Sequence, residues 1–506
     1  MFAKHNNINR KLVALGVAVA LLITGCNKQL EITPEVFVSP EQLYKDEAGA
    51  EAGVTGIYRQ LLVLKSSDYA FIGILGTDEG KTTTFVPTWG TYWQNFAAVN
   101  SYSILLTAQN DMVQGFWNVS YKGIGNANVA VKYIQRASIN QSVKDKLVGE
   151  AKFLRAVFYF NLVQLYGGIP MPTEADNAVA ESTGYPRSTA DQVYELIVSD
   201  LKFAAEHLNA KADNGTNKGR ASKEAAAALL GKVYLTRKDY ANAKTVLEPL
   251  LNTAGVNLLD NYADLFKEAS ENNNESLFEI QFSNENGNTS NMANYLGAWQ
   301  INAPNLPGAG GHTIIPTDRY INIFENGDKR KDASLRSTFY DKDGNLVDWW
   351  WWADTWKPHV KKYDITAGVS VSGSLSSRNL YYLRLADVIL MYAEAQNELN
   401  QTGVALTNLN KIRKRAGLDN WEVVLGAQPT KDQMKDELLK ERMRELGFEG
   451  WRWFDLKRTD KLLTETKANN PDAASNMTNK NLLYPLPAKE FENNPALKPG
   501  DQNPGY

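Results

Sequence analysis

The sequence of 506 residues contains a single cysteine and only four histidines. Because Cys26 is the only thiol, an internal disulfide is excluded, and a chain of this length must be stabilised by its own core. The net charge of −3 includes no basic block, which gives no electrostatic support for nucleic-acid binding. Beyond the first 25 residues, His207, His312 and His359 lie far apart in the sequence, so we do not predict a zinc site.

Signatures of the common enzyme classes are also missing. The chain has no Gly-x-Ser-x-Gly, Walker A or His-Glu-x-x-His motif. Asp78 and Glu79 form the only suggestive carboxylate cluster, but neighbours in an extended segment point to opposite faces. We expect these two acids to be solvated or to make single hydrogen bonds. The prediction is a protein that is not an enzyme and has no cofactor and no metal, whereas a glycosidase would need two carboxylates that converge on one bond.

The first 25 residues have the features of a secretory signal. A basic start is followed by an apolar run, Leu12–Ile23, which is too short to span a bilayer comfortably. The run ends in the letters Ile-Thr-Gly-Cys, which resemble a bacterial lipobox. Cleavage before Cys26 would leave that residue to carry acyl chains. We predict a signal peptide over 1–25 and a lipidated tether over 26–40, with a single-pass anchor or an ordinary secretory signal as the alternatives.

Most of the remaining chain has the periodicity of amphipathic helices. Apolar residues recur at helical spacing in Glu41–Leu64, Gln114–Ile134, Ser142–Tyr166, Ala190–Leu208, Ser222–Leu235, Tyr240–Leu251, Leu380–Asn400, Ala405–Ala416 and Lys431–Leu446. Small residues such as Gly231 allow neighbouring helices to approach closely, as in a tetratricopeptide pair. The last segment, Lys431–Leu446, predicts a helix rich in exposed charge. The predicted fold class is mainly α, with tetratricopeptide-like helix pairs forming a scaffold, long irregular loop insertions and a few short β-hairpins.

Two long stretches interrupt the helical pattern. Residues 73–101 are rich in Gly, Thr and aromatics without a sustained helical period, and residues 275–377 are rich in Asn, Gly, Pro and Trp. Within the second stretch, Leu335–Trp352 is typical of a hairpin that turns at Asp343-Gly344. Long loops on a rigid scaffold usually carry function. We therefore predict a single body over 41–506 in which these two insertions bind the ligand.

Five blocks of the sequence resemble the SusD-like (RagB/SusD) lipoproteins. They are GEAKFLRAVFYFNLVQLYGGIP (149–170), YLRLADVILMYAEAQNELN (382–400), LNKIRKRAGL (409–418), ERMRELGFEGWRWFDLKR (441–458) and LLYPLPAKEFENNPALKPGDQNPGY (482–506). The blocks occur in the order that the family shows and, with the lipobox, span nearly the whole mature chain. The resemblance implies a helical fold with tetratricopeptide-like pairs and an irregular ligand-binding lobe. It also implies a lipid-anchored protein of the Bacteroidetes outer membrane that faces the cell exterior.

By that resemblance, we predict a non-catalytic glycan-binding lipoprotein. It would capture oligosaccharides or polysaccharide and deliver them to a SusC-like TonB-dependent transporter, without binding nucleic acid. The closest alternative is the same architecture capturing peptides or another nutrient, which would predict charged rather than aromatic insertions. A tetratricopeptide-like adaptor that binds only protein is the second alternative, and a glycosidase is the third.

Several residues of these blocks are expected to serve the fold. Arg384 and Asp387 lie three apart and can pair on one helix face. Asp455 and Arg458 have the same spacing and are candidates for bridging charges. The aromatic residues expected in the core are Trp117, Trp451, Trp453 and Phe454.

The other tryptophans are concentrated in the two insertions. A pyranose ring presents flat C–H faces that stack on an indole, while nearby amides can bind its hydroxyls. In the run Trp349–Trp352, strand alternation places half of the rings on each face, and the face of Trp351 is the preferred one. The predicted ligand-binding residues are Trp89, Tyr92, Trp93, Asn95, Trp299, Gln300, Trp351 and Trp356.

Overall fold

The computed structural model describes residues 38–173, 184–215, 217–284, 287–297, 311–338, 345, 358–364 and 375–506. Contacts divide the chain into two units, Met1–Leu43 and Tyr44–Tyr506. In the first unit, the described residues include one helical turn, Pro40–Leu43. All other described elements belong to the second unit, and Cys26 lies outside the described residues.

Helices dominate the second unit. The longer ones, in chain order, are α1 (Glu47–Ser66), α2 (Thr91–Ser101), α3 (Asp111–Arg136), α4 (Gln141–Tyr166), α5 (Ala190–His207), α6 (Lys223–Thr236), α7 (Tyr240–Leu247), α8 (Leu385–Glu398), α9 (Thr402–Arg415), α10 (Lys431–Leu446), α11 (Arg452–Arg458) and α12 (Leu462–Asn469). Shorter α-helical turns are Met292–Leu296, Asp318–Ile321, Arg330–Ser334, Trp421–Leu425, Pro471–Ala474 and Ala488–Asn493. Turns of 3₁₀ helix are Asp68–Gly73, Val86–Trp89, Lys211–Asn214, Glu248–Asn252, Tyr262–Phe266, Glu268–Ser270, Asn479–Leu482 and Pro499–Asp501. The mainly α prediction is confirmed.

The helices pack as successive pairs. From α3 to α7 each helix packs on the next, and α8 then packs on α7, α9 and α10. Glycines permit the closest approaches: a Cβ added at Gly231 of α6 would lie 2.3 Å from the Leu247 side chain of α7. At Gly123 of α3 the added Cβ would lie 2.3 Å from the Phe158 ring of α4. Gly231 therefore allows α6 and α7 to approach closely, as predicted from its small size.

Polar side chains fix where several of these helices begin. Asn110 and Asn140 accept hydrogen bonds from the first-turn backbone nitrogens of α3 and α4. Thr189 and Gln192 form a reciprocal capping box at the start of α5. Such caps satisfy backbone donors that have no partner within the helix. The observed starts of these helices consequently lie within three residues of the predicted ones.

Short antiparallel strand pairs complete the described unit. The strands are β1 (Gly80–Thr82), β2 (Ser276–Ile280), β3 (Ile314–Pro316), β4 (Leu335–Arg336), β5 (His359–Val360) and β6 (Leu380–Arg384), and the pairs are β1–β3, β2–β6 and β4–β5. In the β4–β5 pair, Leu335 faces Val360. Val360 lies beyond Trp352, the end of the hairpin that we predicted for Leu335–Trp352. The predicted turn, Asp343-Gly344, is outside the described residues.

Three segments differ from their predicted secondary structure. The predicted helix Glu41–Leu64 is interrupted at residues 44–46, and α1 begins only at Glu47. The predicted helix Leu380–Asn400 starts as a strand, because Leu380–Arg384 pair with β2, and α8 begins only at Leu385. The predicted irregular stretch 73–101 contains a full helix, α2. Residues Phe96 to Asn100 of α2 are buried, so tertiary packing stabilises a helix whose Thr, Tyr, Trp and Asn residues have weak helical propensity.

The first half of α10 carries exposed charge as predicted, with Asp432, Lys435 and Asp436 at the surface. Its last two turns instead place Glu441, Arg442, Arg444 and Glu445 in the interior. For this half the prediction was wrong, because each of these charges has an oppositely charged partner from a distant segment. We call the charges connected around Glu445 the buried ion-pair network; its members are Glu275, Asp328, Arg330, Arg384, Arg415, Glu441, Arg444, Glu445 and Glu449.

Glu445 is the central member of the buried ion-pair network. One carboxylate oxygen lies 2.5 Å from Nη1 of Arg384 and also contacts Arg415, and the other oxygen lies 3.2 Å from Nη1 of Arg330. Burial opposes ionisation of Glu445, but the charges of Arg415, Arg384 and Arg330 outweigh it. The pKa of its carboxyl is therefore held far below the usual range, and Glu445 is charged throughout the physiological pH range.

A second group of buried charges joins α6, α8, α10 and α11. Asp387 lies 2.6 Å from Nζ of Lys232 and 2.8 Å from Nη1 of Arg442. It does not pair with Arg384, as its spacing suggested, because Arg384 belongs to β6 and points into the buried ion-pair network. The pairing of Asp455 with Arg458, at 2.9 Å, is confirmed. The predicted core positions of Trp117, Trp451, Trp453 and Phe454 are also confirmed, since all four are buried.

We predict that Glu445→Gln lowers the free energy of unfolding by about 3–5 kcal/mol, because it leaves three buried guanidinium groups without their shared counter-charge. Denaturant unfolding of the purified protein measures the change. The exposed pair Lys238–Asp460 provides the control, and Asp460→Asn should cost less than about 1 kcal/mol. Equal effects of the two substitutions would contradict the assignment of Glu445 as the centre of the network.

Candidate functional site

Three of the predicted residues form an exposed aromatic surface at the start of α2. Trp89 ends a 3₁₀ turn, and Tyr92 and Trp93 follow in the first turn of α2. The ring of Trp93 stands edge-on to Trp89 at 5.2 Å and to Tyr92 at 5.6 Å between centroids. Trp89 is 41% exposed and Tyr92 42% exposed, which is unusual for such large rings. We call Trp89, Tyr92 and Trp93 the aromatic platform.

The aromatic platform rests on rings from two other segments. Trp93 packs against buried Phe96 at 5.7 Å and against Tyr295 at 5.9 Å. Tyr295 in turn stacks on Phe71 with centroids 4.7 Å apart. These contacts join the turn Asp68–Gly73, α2 and the short helix Met292–Leu296. The exposed rings are therefore backed by a buried aromatic layer that limits their movement.

A carboxylate and an amide lie beside these rings. The hydroxyl of Tyr92 donates a hydrogen bond to Asp68. Burial raises the pKa of Asp68, and a hydrogen bond with Tyr295 partly offsets that effect. Asn95 donates from its amide nitrogen to Asp111 at 3.0 Å, which orients the side chain. The site thus combines stacking surfaces with fixed hydrogen-bonding groups, the combination that sugar rings require.

Sequence reasoning missed Asp68 and Tyr295. Both belong to short turns without strong periodicity, and their roles come from tertiary contacts with Tyr92 and Trp93. The remaining predicted residues, Trp299, Gln300, Trp351 and Trp356, lie outside the described residues. The described chain on either side of residues 298–310 is close to the platform, since the Thr313 nitrogen donates to the Tyr295 carbonyl at 3.1 Å.

The acids Asp78 and Glu79 are buried and not solvated. Asp78 makes a two-point ion pair with Arg452, at 2.7 and 2.6 Å. Glu79 accepts a hydrogen bond from the Phe448 backbone nitrogen at 2.8 Å. Both side chains therefore hold the segment before the platform against the turn between α10 and α11.

Two of the histidines that are distant in sequence meet in the structure. Nδ1 of His312 lies 2.6 Å from Nε2 of His359, while His207 stacks on Phe203. Within the residues that the structure describes, no group of three or more His, Cys, Asp or Glu side chains is placed to hold a metal ion. The same part of the chain contains no helix with the length and apolar character needed to cross a membrane.

Comparison with known proteins places this arrangement in a family. Residues 349–506 match the model of the SusD family, and residues 77–235 match the model described as starch-binding associating with outer membrane. SusD-like protein P2 of Formosa agariphila is 28% identical over 97% of this chain and 98% of its own length. A SusD-like protein of Bacteroides ovatus is 24% identical over 86% of this chain and 80% of its own length. The chain belongs to the SusD-like family.

Solved structures of SusD-like proteins share the fold. A SusD homologue from Bacteroides thetaiotaomicron superposes with a TM-score of 0.80 at 23% identity, covering 92% of this chain and 98% of that one. A laminarin-binding SusD-like protein superposes with a TM-score of 0.76 at 26% identity, covering 92% of this chain and all of that one. The helical scaffold of this SusD-like protein is therefore the family scaffold.

Glu79 makes the protein's stability depend on pH. Burial raises its pKa to about 8, although the Phe448 hydrogen bond and the charge of Arg452 act in the opposite direction. Because the folded pKa exceeds the value of 4.5 for an unperturbed glutamate, stability is lost progressively as pH rises from about 4.5 to about 8. We predict that Glu79→Gln, which retains an acceptor for the Phe448 nitrogen, removes this loss.

Thermal unfolding of both proteins at pH 5 and pH 8.5 measures the effect. The Glu79→Gln variant should be close to the wild type at pH 5 and more stable than the wild type at pH 8.5. Asp78→Asn, which breaks the ion pair with Arg452, should instead destabilise the protein at both pH values. A Glu79→Gln variant that is less stable at pH 8.5 would refute the raised pKa.

Proposed function

We propose that this SusD-like protein captures glycans at the cell surface through its aromatic platform. The observation that carries the proposal is the exposure of Trp89 and Tyr92 on a rigid aromatic backing. Solvent-exposed rings of this size have an unfavourable hydration cost unless a ligand covers them. A neighbour with 26% identity is named as laminarin-binding, and one matching family model is described as starch-binding.

The platform is proposed to bind without catalysing a reaction. Asp78 and Glu79 are engaged with Arg452 and the Phe448 backbone, so they are not placed on either side of a substrate bond. Asp68 and Asn95 lie at the platform and would orient sugar hydroxyls. Trp299, Gln300, Trp351 and Trp356 are proposed to extend the same binding surface; Trp299 follows Tyr295 by only four positions in the sequence.

Affinity electrophoresis against laminarin and starch tests the glycan proposal. We predict that the wild-type body, residues 27–506, is retarded and that Trp89→Ala/Tyr92→Ala weakens binding about tenfold or more, because both stacking faces are lost. The double variant Val423→Ala/Val424→Ala removes exposed apolar side chains elsewhere and should bind like the wild type.

Three results would contradict the glycan proposal. The first is equal retardation of the wild type and of the Trp89→Ala/Tyr92→Ala double variant, which we call the platform variant. The second is binding of peptides without retardation by any glycan. The third is steady release of reducing ends from a retained glycan. The last of these would also establish an enzyme. Circular dichroism of each variant distinguishes loss of the ligand surface from loss of the fold.

We also propose that Cys26 carries lipid, that the protein faces the exterior of the outer membrane, and that a SusC-like TonB-dependent transporter receives the glycan. The lipobox and the family description that mentions the outer membrane support this placement. We predict that Cys26→Ala moves the protein from the membrane fraction to the soluble fraction and abolishes incorporation of radiolabelled palmitate in a Bacteroidetes host.

The lipidation experiment gives an unambiguous label because Cys26 is the only cysteine of the chain. Asn27→Ala, at the neighbouring position, should leave both the membrane fraction and the palmitate label unchanged. Protease treatment of intact cells then reports which side of the outer membrane the protein faces. A Cys26→Ala variant that remains in the membrane with its label would refute lipidation at this residue.

A further inference from the structure

Apart from the aromatic platform, a concave surface lies between α1, the turn at residues 217–220 and β2. Its volume is about 450 Å³, in the range typical of small-ligand sites. It shares no residue with the aromatic platform. Its apolar lining comes from Leu61, Leu62, Phe278 and Ile280. We call this surface the α1–β2 cleft.

The α1–β2 cleft has hydrogen-bond donors at its edge. Nη1 of Arg59 donates to Oδ1 of Asn288 at 2.9 Å, which orients the guanidinium group and leaves the amide nitrogen of Asn288 as a donor. No carboxylate among the described residues forms an ion pair with Arg59. Arg220 also lines the cleft, and its buried Nη2 has no hydrogen-bond partner in the described part of the chain.

The acceptors of the cleft wall are already used by the protein. Glu279 accepts hydrogen bonds from the Asn272 backbone nitrogen at 2.9 Å and from the Asn379 amide at 3.0 Å. The side-chain oxygen of Gln281 accepts from the amides of the same two asparagines, each at 2.9 Å. Burial raises the pKa of Glu279, and its hydrogen bonds with Asn272, Ser276 and Asn379 act in the opposite direction. The groups left for a ligand are therefore mainly donors, and the edge of the cleft carries the positive charge of Arg59.

We propose that the α1–β2 cleft binds a sugar unit that bears a carboxylate, with the ring against the apolar lining and the carboxylate on Arg59. A guanidinium group forms two parallel hydrogen bonds with a carboxylate, which a neutral hydroxyl cannot reproduce. The inference rests on the proposed glycan function and adds a substrate class to it, an acidic polysaccharide built from uronate units.

Gly56 offers a direct way to close the cleft. It lies in α1 and lines the cleft, and a Cβ added there would meet no atom within 4 Å. We therefore expect Gly56→Leu to place a side chain in the cleft, starting from a Cβ position that is free of contacts. Gly403→Leu provides the matched control, because Gly403 is also helical, also has open space around its Cβ position, and lies in α9.

The experiment measures the affinity of the wild type, Gly56→Leu, Arg59→Gln and Gly403→Leu for oligogalacturonate and, separately, for laminarin. For oligogalacturonate, we expect at least a tenfold loss with Gly56→Leu and with Arg59→Gln, and no change with Gly403→Leu. Raising the salt concentration from 0.05 to 0.5 M should weaken oligogalacturonate binding to the wild type. Laminarin binding should be unaffected by all three substitutions.

The outcomes separate this inference from the glycan proposal. Two results overturn the inference while laminarin binding still depends on Trp89 and Tyr92. In the first, the wild type does not bind oligogalacturonate. In the second, Gly56→Leu and Arg59→Gln bind oligogalacturonate as tightly as the wild type does. The glycan proposal itself fails when neither polysaccharide is bound by the wild type. If oligogalacturonate binding is lost only in the platform variant, the acidic sugar binds at the platform. This result would also overturn the inference.

Discussion

Buried charge at the end of α10 determines how the remote parts of this chain come together. Glu445 lies in the interior with Arg330, Arg384 and Arg415, which are 115, 61 and 30 positions away in the sequence. A buried charge is tolerated only when its partners are in place, because an unpaired one costs several kcal/mol. The network is therefore satisfied only when β6, α9, α10 and the helix that contains Arg330 have all docked. The charge of Glu445 therefore favours the one tertiary arrangement in which its three arginine partners surround it.

The same end of α10 also holds the segment that carries the aromatic platform. The turn after α10 presents the Phe448 nitrogen to Glu79, and Arg452 of α11 binds Asp78 through two contacts. These bonds fix the chain shortly before Trp89. A binding surface whose rings are fixed before the ligand arrives loses little conformational entropy on binding. In the proposed function, the buried charges therefore contribute to glycan capture indirectly, by limiting the movement of the platform.

Sequence periodicity was sufficient for the scaffold but not for the placement of its charges. Amphipathic spacing located α3 to α10, because apolar faces at helical spacing must pack against a core. The same reasoning assigned the charges of Lys431–Leu446 to solvent, since a charged residue is almost never buried unless it is paired. The distant partners of Glu441 and Glu445 are arginines 30 to 115 positions away, and periodicity carries no information about such contacts.

The sequence predicted which residue types would form the aromatic platform, but not the secondary structure or the tertiary contacts that hold them. Trp89, Tyr92, Trp93 and Asn95 were selected by residue type in an aromatic-rich stretch, and the structure brings the three rings together, while Asn95 binds Asp111. That α2 forms a helix there could not be predicted, because its stability comes from the burial of Phe96 to Asn100 rather than from local propensity. Asp68 and Tyr295 were missed for the same reason, since neither contact with the platform is local in sequence.

The platform and the α1–β2 cleft are built on the same two stretches of chain. Helix α1 lines the cleft with Gly56 and Leu61 and leads directly into the turn that contains Asp68. The chain after β2 lines the cleft with Asn288 and then reaches Tyr295. As proposed, the platform takes a neutral sugar ring and the cleft takes a uronate, so only a polysaccharide that contains both units engages the two surfaces together. Binding of such a polymer at one surface raises its effective concentration at the other. It would then be retained by contacts that are each too weak to hold an isolated sugar.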